Sequence, residues 1–271
     1  RAEFLNRRDL RLKALGSGSD YSAFLQHLGI ASFNLSFRGE GVGGEYHTCF
    51  DTFDHYVKNI DPGHRYGIAL AQVCGRLTLR LSEAEILPFD FNAQAETINR
   101  YITEVTTLAD SLRRETQIQN QLLAAGRFQQ AADPKQKYLP PAPQKPVPHI
   151  NFAHLLNAGQ KLKTAGADFH EALAAHDQKL SPAQLKTLNQ KIYQTERALI
   201  TQAGLPRRPW FRHQIYAPGF YTGYGVKTLP AIREAIESRN WKEAGEQIGL
   251  VSATLSKLAQ QLDAATKTIN P

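Results

Sequence analysis

"WKEAGEQIGLVSATLSKLAQQLDAATKTI", residues 241–269, decides the fold class. Trp241, Ala244, Ile248, Val251, Leu255, Leu258, Leu262, Ala265 and Ile269 recur in alternating steps of three and four. Side chains at that spacing line one face of an α-helix, as in a helix packed in a bundle. The spacing allows the stripe to serve the chain's own core alone, or a partner as well.

Three more segments upstream carry the same period. Residues 94–125 place Ile98, Tyr101, Ile102, Val105, Leu108 and Leu112 on one face. Phe152, Leu155, Leu162, Phe169 and Leu173 form a second stripe, and Leu185, Leu188, Ile192, Thr195 and Leu199 a third. Ser181 followed by Pro182 is the start signal of that third helix, because proline fits the first turn and serine caps it. Four amphipathic helices predict an antiparallel bundle. Two segments interrupt it. Residues 133–149 are so rich in proline that a regular helix is forbidden, which predicts an extended surface strap. Residues 204–230, "GLPRRPWFRHQIYAPGFYTGYGVKTLP", combine prolines, glycines and aromatic rings. A loop this long inside a helical region is functional or disordered, and its aromatic content argues for order.

Composition shifts near residue 90, and the first part mixes short elements. Ser19 or Asp20 is placed to cap a helix that ends before Gly29. "IASFNLSF", residues 30–37, alternates as a strand does. A glycine-rich loop, "RGEGVGGEY", leads to a short helix over about 51–59, and Asp61-Pro62 starts another over about 62–82. The fold class expected is therefore α+β, mainly α.

The chain has 271 residues with 42% hydrophobic and 21% charged side chains, a globular composition. Its apolar runs fall short of the roughly 20 residues that span a bilayer, so no membrane contact is expected from this segment. The net charge of +7 comes from Lys and Arg spread among acids. With no nucleic-acid motif, no such partner is expected. "LPRRPWFRH", the densest basic cluster, reads as solvated or structural. Cys49 and Cys74 form neither a disulfide framework nor a C-x-x-C site. The chain contains no methionine, and its N-terminus is charged throughout and unlike a signal peptide. It is expected to be part of a longer protein.

"EYHTCFDTFDHY", residues 45–56, gathers Tyr46, His47, Asp51, Asp54 and His55. Two histidines and two carboxylates so close are metal-ligand candidates. They are equally the polar start of an ordinary helix.

"LGSGSDYSAFLQHLGIAS", "EYHTCFDTFDHY", "ILPFDF", "LPRRPWFRHQIYAPGFYTGYG" and the closing helix occur in an order that resembles the C-terminal part of the glutamate carboxypeptidase II and transferrin receptor family. The resemblance covers nearly the whole chain except the strap. It implies that residues 1–90 are the tail of an α/β zinc-peptidase domain and residues 91–271 a four-helix-bundle dimerisation domain. The loop at 204–230 would reach back to the active site. Catalytic members are two-zinc exopeptidases that act outside the cytoplasm, so an extracytoplasmic, periplasmic or secreted location is implied. By this resemblance His47 is a zinc ligand and Tyr46 donates to the oxyanion formed on peptide hydrolysis. Gly18 and Tyr224 contact the substrate, and His213 lies near the site. For Gly18 a purely conformational role also fits, and for His213 a buried, hydrogen-bonded one. Asp51, Asp54 and His55 match no metal ligand; Asp51 is expected to favour a helix N-terminus.

Departures from the family pattern bear on specificity. Glutamate-specific members carry a Lys where this chain has Gly223, and two arginines where it has Asn34 and Ser36. Without those cations a glutamate side chain loses its charge pairing, so a neutral or varied C-terminal residue is expected. The remaining zinc ligands and the general base lie upstream in the family. The isolated chain is therefore expected to bind zinc weakly and to be inactive, needing the N-terminal part of the peptidase domain as partner. The alternative function is a non-enzymatic, transferrin receptor-like dimerisation and binding module.

Overall fold

The computed structural model describes residue 5 and residues 12–39, 41, 43–135, 137–176 and 180–269. Most of the charged N-terminal stretch, Glu40 and Val42 of the glycine-rich loop, and Gln136 of the strap lie outside the described residues. These residues form two compact units. One comprises residues 32–89, and the other joins residues 12–31 to 90–269.

In the smaller unit a turn of helix at Phe53–His55 runs into Tyr56–Ile60, and a 3-10 turn at Pro62–His64 leads into α1, Arg65–Ser82. The Asp61 carboxylate anchors this start. It accepts from the amides of Tyr66 (3.0 Å) and Gly67 (2.8 Å) and from the Tyr56 hydroxyl (3.0 Å). Three donors on one carboxylate hold its pKa below the usual range, although burial opposes them. Thr52, not Asp51, caps the preceding helical turn, its hydroxyl accepting from the His55 amide.

The strand expected at 30–37 is absent. Those residues carry no regular secondary structure, and Ile30, Phe33, Leu35 and Phe37 are exposed. An alternating pattern becomes a strand only where a neighbour pairs with its N–H and C=O groups. Among the described residues no strand or bridge forms with 30–37. The same holds for α1, which buries no residue and exposes Tyr66, Ile68, Val73 and Leu79.

The larger unit holds the helical bundle. A wide π-helical segment, Ser22–Leu28, ends at Gly29, whose φ of 65° is the left-handed cap that glycine accepts without strain. Its N-terminus has no side-chain cap, so neither Ser19 nor Asp20 plays the expected part. Then come α2 (Phe91–Ala124), α3 (Ala153–Ala175), α4 (Pro182–Tyr193), a helical turn at Thr195–Ala198, α5 (Pro230–Glu237) and α6 (Trp241–Ile269). Asp90 caps α2 through the Ala93 amide. Ser181 and Gln184 form a reciprocal capping box on α4, with Pro182 in its first turn. α6 packs against α3, α4 and α5, and α3 also packs along α2. Every member of the α6 stripe except Trp241 is buried, so the stripe serves the chain's own core.

A short helix, Arg127–Ala131, separates α2 from the strap, whose described residues carry no regular structure. Asn120 and Gln144 exchange two hydrogen bonds (2.7 and 3.0 Å), Arg113 donates to the Pro148 carbonyl, and Val147 and Ile150 are buried. α5 was not expected. Pro230 in its first turn is its start signal, hidden at the end of a stretch read as loop.

Two glycines set how closely α2 and α3 approach. A Cβ at Gly159 would lie 2.5 Å from the Asn99 side chain, and one at Gly166 would lie 2.9 Å from the backbone oxygen of Phe91. Gly245 on α6 has open space instead. Alanine in a helix interior gains about 1 kcal/mol over glycine, whereas overpacking against backbone costs roughly 1–3 kcal/mol. Gly166→Ala is therefore expected to destabilise the protein and Gly245→Ala to stabilise it. Denaturant unfolding of the two variants checks both signs.

Candidate functional site

The loop after the Thr195–Ala198 turn is held along its whole length. Residues 199–201 pair with 212–214: the Thr201 amide donates to the Arg212 carbonyl (3.0 Å) and the Gln214 amide to that of Leu199 (2.9 Å). Beyond this pairing, β1 (Tyr216–Pro218) and β2 (Val226–Thr228) form a short antiparallel hairpin. Its tip is a glycine turn closed by bonds between Gly219, Thr222 and Gly225, with Gly223 at φ 58°.

Paired charges fasten the hairpin to the helices. The Arg208 Nη2 donates to both carboxylate oxygens of Glu234 of α5 (2.8 and 2.7 Å), Nη1 donates to the Pro218 carbonyl, and the guanidinium lies over the rings of Phe211 and Phe220. Arg207 pairs with Glu243, and Arg233 ties Thr228 to Glu104 of α2. The basic cluster is thus structural, as read.

The other side of the loop meets residues 14–29. The Gln26 carbonyl accepts from the amides of Arg212 (2.8 Å) and His213 (3.1 Å). The Gln26 side chain is buried and donates to the carbonyls of Leu15 (3.1 Å) and Gly16. The His27 ring stacks on Trp210 at 5.0 Å. At the tip the Ser17 amide donates to the Tyr224 carbonyl (3.1 Å). Gly18 has φ 96°, and a Cβ there would meet the Tyr224 ring at 2.8 Å. Gly18 and Tyr224, far apart in sequence, are therefore in contact, and the glycine serves both backbone shape and close approach. The Tyr224 side chain remains exposed.

His213 is fully buried. Its Nδ1 accepts from the amides of Ile215 (3.2 Å) and Tyr216 (3.4 Å), so the ring proton sits on Nε2 and points at Glu196 Oε1 (2.9 Å). The Tyr216 hydroxyl donates to the same oxygen, and its ring stacks on His213 at 4.2 Å. Burial pushes the Glu196 pKa upward, but the His213 and Tyr216 hydrogen bonds outweigh it and hold the carboxyl below its usual range. Burial, with the carboxylate beside it, pushes the Tyr216 phenol well above its usual value. Glu196 and Tyr216 were not expected. The signal for Glu196 was present: it stands four residues after Ile192, on an apolar stripe where a charge implies buried partners.

Tyr46 and His47 belong to the smaller unit. They lie in an exposed turn closed by the Thr48 amide on the Glu45 carbonyl (2.9 Å). Their rings stack at 3.8 Å, and His47 takes a φ of 59°. Asp51, directly before the Thr52 cap, accepts from the His47 amide (3.1 Å). His55 contacts Asn59. Among the described residues no three His, Cys, Asp or Glu side chains gather into a metal-binding group. A groove of about 670 Å³ between α3 and α6, lined by His154, Asn157, Lys161, Ser252 and Ser256 among others, contains none of the predicted site residues.

The bundle and its embedded loop define the class. Residues 150–263 match the transferrin receptor-like dimerisation domain. Beyond that domain, most of the chain is similar to peptidases. A probable glutamate carboxypeptidase of Arabidopsis thaliana is 29% identical over 248 residues, covering 89% of this chain and 30% of that protein. One of Arthroderma benhamiae is 31% identical over 242 residues, covering 86% and 28%. The aminopeptidase NAALADL1 of Mus musculus is 26% identical over 266 residues, covering 93% and 31%. The chain thus spans about 30% of the length of these relatives. No described helix is long and apolar enough to cross a membrane.

Glu196 generates a pH prediction. Its folded-state pKa lies below that of the unfolded chain. It therefore contributes stability that is complete above the unfolded value of about 4.3 and is lost as pH falls through the folded value. Wild type is expected to be more stable than Glu196→Gln at neutral pH, with the gap closing on acidification below about pH 4.3. Denaturant midpoints of the two proteins across the acid range test this.

Proposed function

We propose that this chain is the C-terminal portion of a zinc-dependent exopeptidase, one that supplies substrate contacts, one zinc ligand, an oxyanion donor and the surface for homodimer formation. The observation that carries the reading is the seating of the Tyr224 turn on Ser17 and Gly18. A long loop is fastened by buried charges and hydrogen bonds so that it presents an exposed phenol beside a glycine turn. Order of that kind in a loop is characteristic of binding sites. The relatives' names, carboxypeptidase and aminopeptidase, support terminal peptide-bond hydrolysis as the reaction class.

In this reading Tyr224 binds the substrate's terminal carboxylate and Gly18 lies alongside it. Tyr46 donates a hydrogen bond to the oxygen on which negative charge develops, an interaction that strengthens in the transition state. His47 contributes an imidazole to the metal. The described residues do not fit a complete zinc site, since no second or third ligand accompanies His47 and Asp51 spends an oxygen on the His47 amide. The other ligands come from polypeptide outside this chain, the N-terminal part of the peptidase domain to which residues 1–90 are assigned. The apolar side chains left exposed on 33–37 and α1 give that polypeptide a surface to cover. Residues 91–271 form the dimerisation domain, and the assembled protein acts outside the cytoplasm.

Gly223, Asn34 and Ser36 leave no cation for a substrate glutamate side chain, so neutral or varied C-terminal residues are the proposed substrates. A panel of dipeptides on the full-length protein tests this: broad or neutral-residue cleavage is expected, and a strong preference for C-terminal Glu refutes the specificity. Absence of all cleavage favours the non-enzymatic dimerisation and binding module. On the same protein Tyr46→Phe is expected to lower kcat by roughly 10²-fold, the scale for removing one oxyanion donor. Calorimetry on the isolated chain is expected to show only weak zinc binding. Tight uptake of two metal ions would contradict the shared-site reading.

A further inference from the structure

We infer that Glu196, His213 and Tyr216 form a buried latch that positions Tyr224, with the Glu196 carboxylate as its fixed point. The inference rests on the reading of Tyr224 as a substrate contact, but the latch itself is a matter of geometry. Two donors converge on Glu196 Oε1, the Nε2–H of His213 and the Tyr216 hydroxyl. From there two routes run to the Tyr224 turn. Along one, the His213 amide donates to the Gln26 carbonyl, the Gln26 side chain donates to Leu15 and Gly16, and the Ser17 amide donates to the Tyr224 carbonyl. Along the other, Tyr216 begins β1, β1 pairs with β2, and the turn between them carries Tyr224. The two routes close a ring around the loop.

A core selected for stability alone does not call for a carboxylate there. Burying a charge against neutral partners brings a desolvation cost that an apolar side chain of similar volume avoids. What the carboxylate adds is direction. It accepts both donors at one point, and the two amides on His213 Nδ1 fix the imidazole in a single tautomer. A loop with one orientation presents Tyr224 in one place, and pre-organisation of that kind lowers the cost of binding. The three are positioning residues: Glu196 and His213 are buried, and the Tyr216 hydroxyl is engaged by Glu196.

The test uses the full-length protein with Glu196→Gln and Tyr216→Phe. Hydrogen exchange at the Ser17 amide reads the seating of the turn directly, and the Leu255 amide in α6 reads the bundle. In Glu196→Gln the Ser17 amide is expected to exchange about tenfold faster or more, the scale of losing one hydrogen bond to a charged group, while Leu255, which exchanges through global unfolding and follows the variant's lower stability, accelerates less. Tyr216→Phe, which keeps the charge, is expected to give a smaller acceleration and serves if the first variant fails to fold. With a cleaved dipeptide, KM is expected to rise about tenfold while kcat stays within about twofold, the pattern of lost ground-state binding. Unchanged Ser17 exchange overturns the latch. So does equal acceleration at Leu255, which would make Glu196 an ordinary stabilising core residue. If the wild type cleaves no peptide, the peptidase reading fails while the Ser17 comparison still decides the latch.

Discussion

Burial of the α6 stripe against α3 is the interaction on which the ordered part of this protein depends. Each leucine removed from water there contributes roughly 1.5–3 kcal/mol before entropy is charged against it. The gain accumulates because the stripe runs the length of a 29-residue helix. Packing to that density needs close approach elsewhere, and Gly159 and Gly166 let α3 come within contact of α2. Once those helices are fixed, their ends and connections become a rigid frame, and the loop and the strap are built on it.

The loop is ordered by contacts its own residues cannot make with one another. A hairpin of three-residue strands is unstable in water by itself. Here it is tied by arginines to Glu234 and Glu104, by the buried Glu196 to the end of the third bundle segment, and by Gln26 to residues 15–16. The Arg208–Glu234 pair and the Glu196 carboxylate have little water around them, which makes them strong in a low-dielectric setting and costly to break singly. Rigidity at the base of the loop and exposure at its tip are two sides of one arrangement, and the exposed part is a phenol.

The unit of residues 32–89 shows the converse. The hydrogen bonds of residues 44–67 are local, as in the triple acceptance by Asp61, and large apolar side chains such as Phe33, Phe53 and Leu79 face outward. Tyr46 and His47, the residues whose chemistry first drew the peptidase reading, sit on this unit as stacked, exposed rings. Among the described residues no metal-binding group surrounds this pair.

The sequence alone determined the four long helices, the cap of α4 and the core they share. The three-and-four spacing of α6, the Ser181 capping box and the prolines of the strap are local or periodic signals, and each acts within a few turns of where it is written. The ordered motifs also carried the family resemblance, since several short matches in one order are specific where any single one is not. Tertiary structure alone decided the rest. It left 30–37 without a ladder, because an alternating pattern has no say over whether a neighbouring strand exists. It started α5 at Pro230 inside a stretch that reads as loop. It placed Gly18 under the ring of Tyr224, and it turned Glu196, a lone charge on an apolar stripe, into the acceptor for His213 and Tyr216. Contacts between residues far apart in the chain depend on the frame that brings them together, and no spacing along one strand of sequence encodes that meeting.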